Sequence, residues 1–225
     1  GHTTSEVTIA DNLTVTGTVT LADGSLALAD LDIDGGTDIG ADLVDADLFI
    51  VDDGAGGTNR KTAASRLKTY IGGGITTASI WRLTTNFDGD ANPIASNLEE
   101  SDAPTGFGVL GSSMTESSGV FTFPSTGYWY ISFNLMVAND TADGRSVITI
   151  NTAHDGSSFT GASNANVWAA SGGLNNAMCD YIFDVTNTST HKCNFQVDAS
   201  NSSNGCLGGT GLNYTSMTFI RLGDT

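Results

Sequence analysis

Four oxygen-bearing side chains between residues 88 and 99 stand at the spacing of a calcium-binding loop. The first, third, fifth and twelfth positions of such a loop are filled by Asp88, Asp90, Asn92 and Glu99. Pro93, however, takes the place of the glycine that gives these loops their sharp turn, and no helical pattern flanks the segment. We therefore expect a solvated acidic loop, with bound calcium as the alternative, and no other cofactor.

Other groupings that could do chemistry each lack a required part. Gly106–Gly111 spells G-x-G-x-x-G, but a strand end and a turn follow it where a nucleotide site needs a helix. Asp30, Asp32 and Asp34 repeat the start of a calcium loop without its final glutamate, which favours a polar strand face. His191 and Cys193 share a strand face, so they could bind a soft metal only across a threefold axis.

Catalysis is not expected from this sequence. No nucleophile can be matched with a base and an orienting group, since His2 is terminal and His154 lies in a Gly/Ser-rich segment. A glycosidase needs two carboxylates across a cleft, and nothing in the pattern pairs the acids of the chain.

Two aromatic residues beside small polar side chains indicate recognition instead. Trp168 follows the polar segment His154–Asn166, and Tyr214 follows Ser200–Asn213. Hydroxyl and amide groups beside an aromatic face suit a carbohydrate, which offers hydroxyls on its rim and C–H groups on its faces. The predicted receptor-binding residues are Trp168, Tyr214, Asn164, Asn166 and Asn213. The alternative for Trp168 is that it only covers the core.

The element that must position these segments is the longest alternating strand of the chain. Residues 127–138 place Trp129, Ile131, Phe133 and Leu135 on one face and Tyr128, Tyr130, Ser132 and Asn134 on the other. A short strand, 120–123, precedes it across the turn Pro124–Gly127. A strand with one apolar face requires a second sheet to cover that face.

This stretch resembles the central hairpin of complement-type, tumour-necrosis-factor-like jelly-roll heads. The shared pattern, G-x-F-x-x-P-x-x-G-x-aromatic-aromatic-x-x-F, is carried by Gly119, Phe121, Pro124, Gly127, Trp129, Tyr130 and Phe133. Thr215–Gly223 is similar to the last strand of that family, and the resemblance covers residues 79–225. It implies an all-β jelly-roll sandwich, a homotrimer, binding through exposed loops and no catalysis.

Composition agrees with an all-β chain and excludes several functions. Gly is abundant at 28 residues and only 15% of residues are charged, as is typical of many short strands joined by turns. The net charge of −17 argues against nucleic-acid binding and against adsorption to an anionic membrane. No apolar run reaches transmembrane length and no signal peptide is recognised. The chain has three cysteines, and the apolar neighbours of Cys179 and Cys193 on their strands favour buried thiols in a chain assembled in a reducing cytosol.

Three segments are predicted. Residues 1–57 read as a β-rich trimeric stalk that is too poor in large apolar residues to form its own core. Residues 58–74 hold a helix and a Gly-rich neck, and residues 75–225 form the jelly-roll head. The polar segments 154–166 and 200–213 are expected to lie together at the end of the head opposite the neck. The helix, 59–71, carries an apolar stripe that would face its copies in a trimer: Ala63, Leu67, Tyr70 and Ile71.

Strands 178–185 and 191–199 are predicted to pair as a hairpin. A turn centred on Thr188 sets Phe183 opposite Cys193 and Cys179 opposite Val197, which places the mostly apolar odd-numbered residues on one face. In this register the two cysteines are not opposite each other, so no disulfide is expected between them.

The run Asp45–Gly73 also resembles connector sequences in virion fibre proteins of marine phages. Together the two resemblances imply a trimeric virion fibre or tip protein on the outside of the particle, on its tail or capsid, assembled in the host cytoplasm. Its head would attach the particle to a host-surface glycan or protein, and its N-terminal stalk would join other virion proteins. The first alternative is a structural decoration fibre or trimer-nucleating cap without a receptor, and the second is a polysaccharide depolymerase.

Overall fold

The computed structural model describes residues 14–20, 38–52, 54, 59–71, 74–102, 109–139 and 144–225. These residues form one short helix and fourteen strands, and the helix is neither long nor apolar enough to span a membrane. The elements are β1 (Leu48–Asp52), β2 (Asn59–Ala63), α1 (Ala64–Ile71), β3 (Ala78–Leu83), β4 (Phe87–Asp88), β5 (Leu98–Glu100), β6 (Thr115–Ser117), β7 (Val120–Thr122), β8 (Gly127–Asn139), β9 (Gly144–Ala153), β10 (Thr160–Ala169), β11 (Gly173–Val185), β12 (Lys192–Ala199), β13 (Asn204–Cys206) and β14 (Ser216–Gly223).

The chain divides into two compact units, residues 1–70 and 71–225. In the first unit β1 and β2 pair antiparallel, with Leu48 opposite Ala63. The apolar side chains of β1 are largely exposed, with Leu48 and Ile50 among them, so this hairpin buries little apolar surface of its own. Asp30, Asp32 and Asp34 lie outside the described residues. The division into stalk, neck and head at residues 57 and 74 stays a prediction.

The helix is shorter than the sequence predicted. Residues 59–63, expected to be helical, form β2 instead, because pairing with β1 satisfies their backbone groups. The helix begins at Ala64, whose N–H donates to the Asp47 carbonyl at 2.8 Å. Ala63 therefore ends a strand and does not belong to a helical stripe, while Leu67 and Ile71 are exposed on the helix. The side chain of Tyr70 and residues 72–73 lie outside the described part of the chain.

The second unit is a sandwich of two antiparallel sheets. One sheet has the order β10-β9-β12-β7-β6, and the other runs β4-β13-β8-β14-β3-β5 with β11 on the second edge of β8. The chain changes sheet after β5, β7, β8, β10, β11 and β12. This alternation between two facing sheets is the topology of a jelly roll, so the predicted all-β fold class is confirmed.

The core follows from the alternation of β8. Trp129, Ile131, Phe133 and Leu135 are all buried, as predicted. Aromatic rings from the facing sheet close over them: the centroids of Phe133 and Phe195 are 5.0 Å apart. Edge-to-face and tilted ring pairs of this kind add to the stabilisation given by apolar burial.

The predicted hairpin between 178–185 and 191–199 is wrong. β11 pairs with β8, where Cys179 lies opposite Phe133, whereas β12 pairs with β7 and β9, where Cys193 lies opposite Phe121 and Thr152. Residues 186–191 cross from one sheet to the other. Alternation fixes which side chains face inward but not which strand lies beside them, so a crossover and a hairpin give the same pattern. All three cysteines are buried and free; burial was predicted for Cys179 and Cys193.

The two ends of the sandwich carry different loops. The root end is the end at which β3 begins and β14 ends, because Ala78 pairs with Ile220 and Tyr128 with Gly223. Loops 123–126, 154–159 and 186–191 lie at the root end, and loops 170–172 and 200–203 lie at the opposite, far end. The segments 154–166 and 200–213 were predicted to share one end. The structure separates them, since the first begins at the root end and continues into β10.

Candidate functional site

Trp168 lies on β10, which is the edge strand of the five-stranded sheet. Its side chain is 59% exposed, and Val167 and Ala169 on either side of it are buried. Asn164 and Asn166 are exposed on the same outer face, since residues two apart on a strand point the same way. These three predicted residues are therefore brought together on one face of a strand.

Asn213 and Tyr214 lie directly before β14, which belongs to the other sheet. Both residues are exposed, Tyr214 at 36%. The Tyr214 carbonyl accepts a hydrogen bond from Asn134 Nδ2 at 2.8 Å. Asn213 Oδ1 accepts one from Ser101 Oγ at 3.0 Å. Asn213 is thus engaged in holding its own loop, which leaves its amide less available to a ligand.

A chain of asparagines links the two aromatic positions. Asn175 Nδ2 donates to the Trp168 carbonyl at 2.7 Å, and the next residue, Asn176, donates from Nδ2 to Asn134 Oδ1 at 2.5 Å. Asn134 in turn donates to the Tyr214 carbonyl. The backbones of the two sites are therefore tied together, although the described residues contain no ring contact of Trp168 or Tyr214 with any other aromatic residue.

Arg145 is a neighbour of Trp168 that sequence reasoning missed. Strands β9 and β10 are in register so that Arg145 lies directly opposite Trp168. Its side chain is exposed. The two residues are separated by 22 others in the chain, and only the pairing register, which the alternation alone does not determine, brings them together.

Two of the four candidate calcium ligands make other contacts. Asp90 Oδ1 accepts a hydrogen bond from the Ala199 N–H at 2.7 Å, and Glu99 Oε1 accepts one from Arg82 Nε at 2.8 Å. Asp88 lies on β4, and Asn92 precedes Pro93 across a cis peptide bond. No three His, Cys, Asp or Glu side chains of the described residues come together as a group that could hold a metal ion.

A histidine pair lies at the root end. His154 Nδ1 and His191 Nε2 are 3.1 Å apart, and the Phe183 ring stacks on His191 with centroids 5.6 Å apart. Burial, and then the neighbouring His154, lowers the pKa of His191. His191 thus contacts His154, while Cys193 is fully buried in β12, so nothing here favours the soft-metal alternative weighed for these two residues. The two rings are brought together by a crossover that the sequence did not reveal.

The remaining partners of these rings do not assemble a catalytic set. Within the described chain the other hydrogen-bond partners of the His191 ring are the Thr186 and Thr190 hydroxyls, each at 3.2 Å, and neither is a carboxylate. A cleft of about 430 Å³ beside His154 is lined by Asp155, Ser158, Tyr181 and neighbouring residues. Hydrogen bonds from the Ser158 side chain and from the Ser158 and Ser157 amides lower the pKa of Asp155 to about 2.

The three thiols are poor nucleophiles in the folded chain. Burial raises the pKa of Cys179 to about 11 and that of Cys206 to about 12. Burial also raises the pKa of Cys193, which is completely enclosed. Because only the thiolate reacts, these side chains act as small apolar core residues.

No protein family's sequence model and no curated protein sequence matches this chain. Solved structures with a related architecture include murine APRIL at pH 8.5, with a TM-score of 0.45 and 8% identity over 65% of this chain and 98% of that one. Murine APRIL at pH 5.0 gives a TM-score of 0.43 and 9% identity over the same shares. Eiger TNF from S. frugiperda gives 0.45 and 8% identity, covering 67% of this chain and 95% of that one. Since these scores are low, the jelly-roll assignment rests on the strand order and pairing described above.

Proposed function

We propose that this protein is a homotrimeric, non-enzymatic fibre or tip protein on the outside of a phage virion. The far end of its head would bind a glycan on the host surface, and its N-terminal stalk would join other virion proteins. The virion origin extends the resemblance of residues 45–73 to phage connector sequences. The trimer and the glycan are each supported by a separate feature of the head.

An apolar band on the outer face of the seven-stranded sheet supports self-association. It crosses four strands in register, since Ile182 lies opposite Tyr130, Tyr130 opposite Ile220, and Ile220 opposite Ala78. The Ile182 side chain is 56% exposed and Tyr128 beside the band is also exposed. Three chains carry 3 × −17 = −51 formal charges, so their contact must be mainly apolar, and this band supplies such a surface.

The exposed Trp168 carries the glycan part of the proposal. Hydration of an indole that is more than half exposed is unfavourable, and a ligand that covers the ring removes this apolar surface from water. The flat ring matches the C–H face of a sugar. Asn164 and Asn166 on the same face offer both donors and acceptors to sugar hydroxyls. Three such sites on one trimer would raise a weak affinity by avidity.

The test is binding of the purified full chain to an array of bacterial surface polysaccharides, together with its mass by light scattering. We expect a mass three times the 23.1 kDa chain and binding to at least one glycan. Trp168→Ala should weaken binding about fivefold per site, equivalent to about 1 kcal/mol, and more on a multivalent surface. Leu110→Ala, which removes another exposed apolar side chain, is the matched control and should bind like the parent.

Three results would contradict parts of this proposal. A 23.1 kDa mass at micromolar concentration rules out the trimer. A trimer that binds none of the glycans points to a structural decoration fibre. Release of shortened sugar chains during incubation would identify a depolymerase.

A further inference from the structure

Residues 71–225 contain few cations, and most of these bind to other groups of the fold. The unit has four Lys or Arg residues, and three of them have partners that hold the fold together. Arg82 is bound to Glu99 and Asp102, Lys192 donates to the Thr122 hydroxyl and the Thr188 carbonyl, and Arg221 is bound to Asp224 and the Thr126 carbonyl. Within the described residues, the Arg145 guanidinium forms neither a hydrogen bond nor an ion pair.

The backbone of Arg145 is nevertheless held in place. Its N–H donates to Ser200 Oγ at 2.9 Å, and its carbonyl accepts from the Ser200 N–H at 2.8 Å and from Asn204 Nδ2 at 3.0 Å. Gly144 and Ser146 on either side are buried. The strand is therefore fixed, and the charged side chain projects from it on the outer face.

That face is the one that carries Trp168. Directly opposed residues of an antiparallel pair have Cβ atoms about 5 Å apart and point the same way. Arg145 is opposed to Trp168, and the following rungs set Val147 opposite Asn166 and Thr149 opposite Asn164. A guanidinium without a partner among the described residues thus lies beside an exposed indole, and two amides lie further along the indole's strand, β10.

We propose that Arg145 and Trp168 form a subsite for a carboxylate-bearing sugar residue, such as a uronic acid within a surface glycan. This inference rests on the glycan-binding function proposed above and specifies the class of glycan. The indole stacks on the C–H face of the ring, and the guanidinium donates two parallel hydrogen bonds to the ring carboxylate. Asn166 and Asn164 take the hydroxyls of the neighbouring sugar unit.

A carboxylate is favoured over a neutral sugar by the charges of the protein. In a chain of net charge −17, an exposed cation whose side chain has no partner among the described residues gains most from an anionic ligand. The planar fork of arginine matches a carboxylate, whereas lysine offers only a point charge. The remaining negative charge of the protein repels a polyanion at long range, so recognition depends on this short-range contact.

The test compares oligogalacturonate with its methyl ester, which has the same sugar rings but no charge, in calorimetric titrations of the full chain. We expect the acid to bind roughly tenfold more tightly than the ester, a ratio typical of a hydrogen bond to a charged group. Arg145→Gln should remove this preference, and Arg145→Lys should retain part of it. Trp168→Ala should weaken binding of both forms. The matched control, Arg66→Gln, makes the same change in net charge on an exposed helix residue and should leave the preference intact.

The outcomes separate the two proposals. Equal binding of acid and ester, or an undiminished preference in Arg145→Gln, overturns the acidic subsite while leaving glycan binding through Trp168 in place. If Arg66→Gln removes the preference as strongly as Arg145→Gln, net charge and not this subsite is responsible. Failure of the parent protein to bind either oligosaccharide or any polysaccharide on the array overturns both proposals. Circular dichroism and light scattering of every variant exclude misfolding as the cause.

Discussion

Replacing Arg82 and replacing its partner Glu99 should lower the stability of the fold by different amounts. The Arg82 side chain is 0% exposed, while the side chains of its partners Glu99 and Asp102 are 35% and 79% exposed. Removing the cation leaves two carboxylates that water can reach. Removing Glu99 takes away the less exposed of the two carboxylates that bind a fully enclosed guanidinium, and a guanidinium cannot lose its charge at ordinary pH.

The expected magnitudes follow from this difference. Loss of one partner from a buried pair costs about 3–5 kcal/mol, and because Asp102 remains we expect about 3 kcal/mol for Glu99→Leu. Arg82→Met keeps most of the side-chain volume and leaves hydrated acids, so about 1–2 kcal/mol is expected. Asp102→Asn should cost less than about 1 kcal/mol because that side chain is exposed.

The assay is urea unfolding of the full chain, followed by circular dichroism at one fixed protein concentration, since association shifts apparent stability. The double variant Arg82→Met/Glu99→Leu should be less destabilised than the sum of the single variants, because it removes both members of the ion pair that each single change breaks. The reasoning is refuted if Arg82→Met costs as much as Glu99→Leu, or if the two effects add.

Two further predictions concern assembly and pH. Ile182→Asp should convert the proposed trimer to monomers in light scattering, because it places a charge in the apolar band, whereas Asn166→Asp on the other sheet should leave the mass unchanged. If neither variant changes the mass, the apolar band is not part of the contact between chains. The raised pKa values of Cys179 and Cys206 stabilise the fold fully below about pH 9, the ordinary thiol value, and this contribution is lost as pH rises towards 11 to 12. Urea midpoints measured from pH 8 to 10.5 should fall less steeply for Cys206→Ala than for the parent, and equal slopes would contradict this account.

Side-chain alternation allowed the sequence to predict strands but not their neighbours. The long strand from residue 127 was recognisable because Trp129 and Phe133 alternate with polar residues over many positions, a signal that belongs to the strand itself. The partner of residues 173–185 is set by loops that either return to the same sheet or cross to the other, and both options satisfy the same alternation.

The candidate site was predictable only in part for the same reason. An isolated tryptophan among small polar residues drew attention to Trp168, and the structure places it on an exposed edge strand. Arg145 carries no comparable local signal. It was identified as a site residue because it lies opposite Trp168 and because the other three cations of its unit bind to partners within the fold. The segment 59–63 has helix-forming residues, but its pairing with β1 outweighed that local preference.

The far end of the jelly roll has a consequence for how the protein could diversify. The first and last strands of the head, β3 and β14, begin and end at the root end, so the far-end loops are closed connections between strands of the same fold. Loop 170–172 includes Gly172 at a φ of +71°, where an added side chain would meet open space but would strain the backbone. Lengthening such a loop costs little, about 0.6 kcal/mol for each doubling of its length. Insertions there would change the surface that the far end presents while the core stays unchanged.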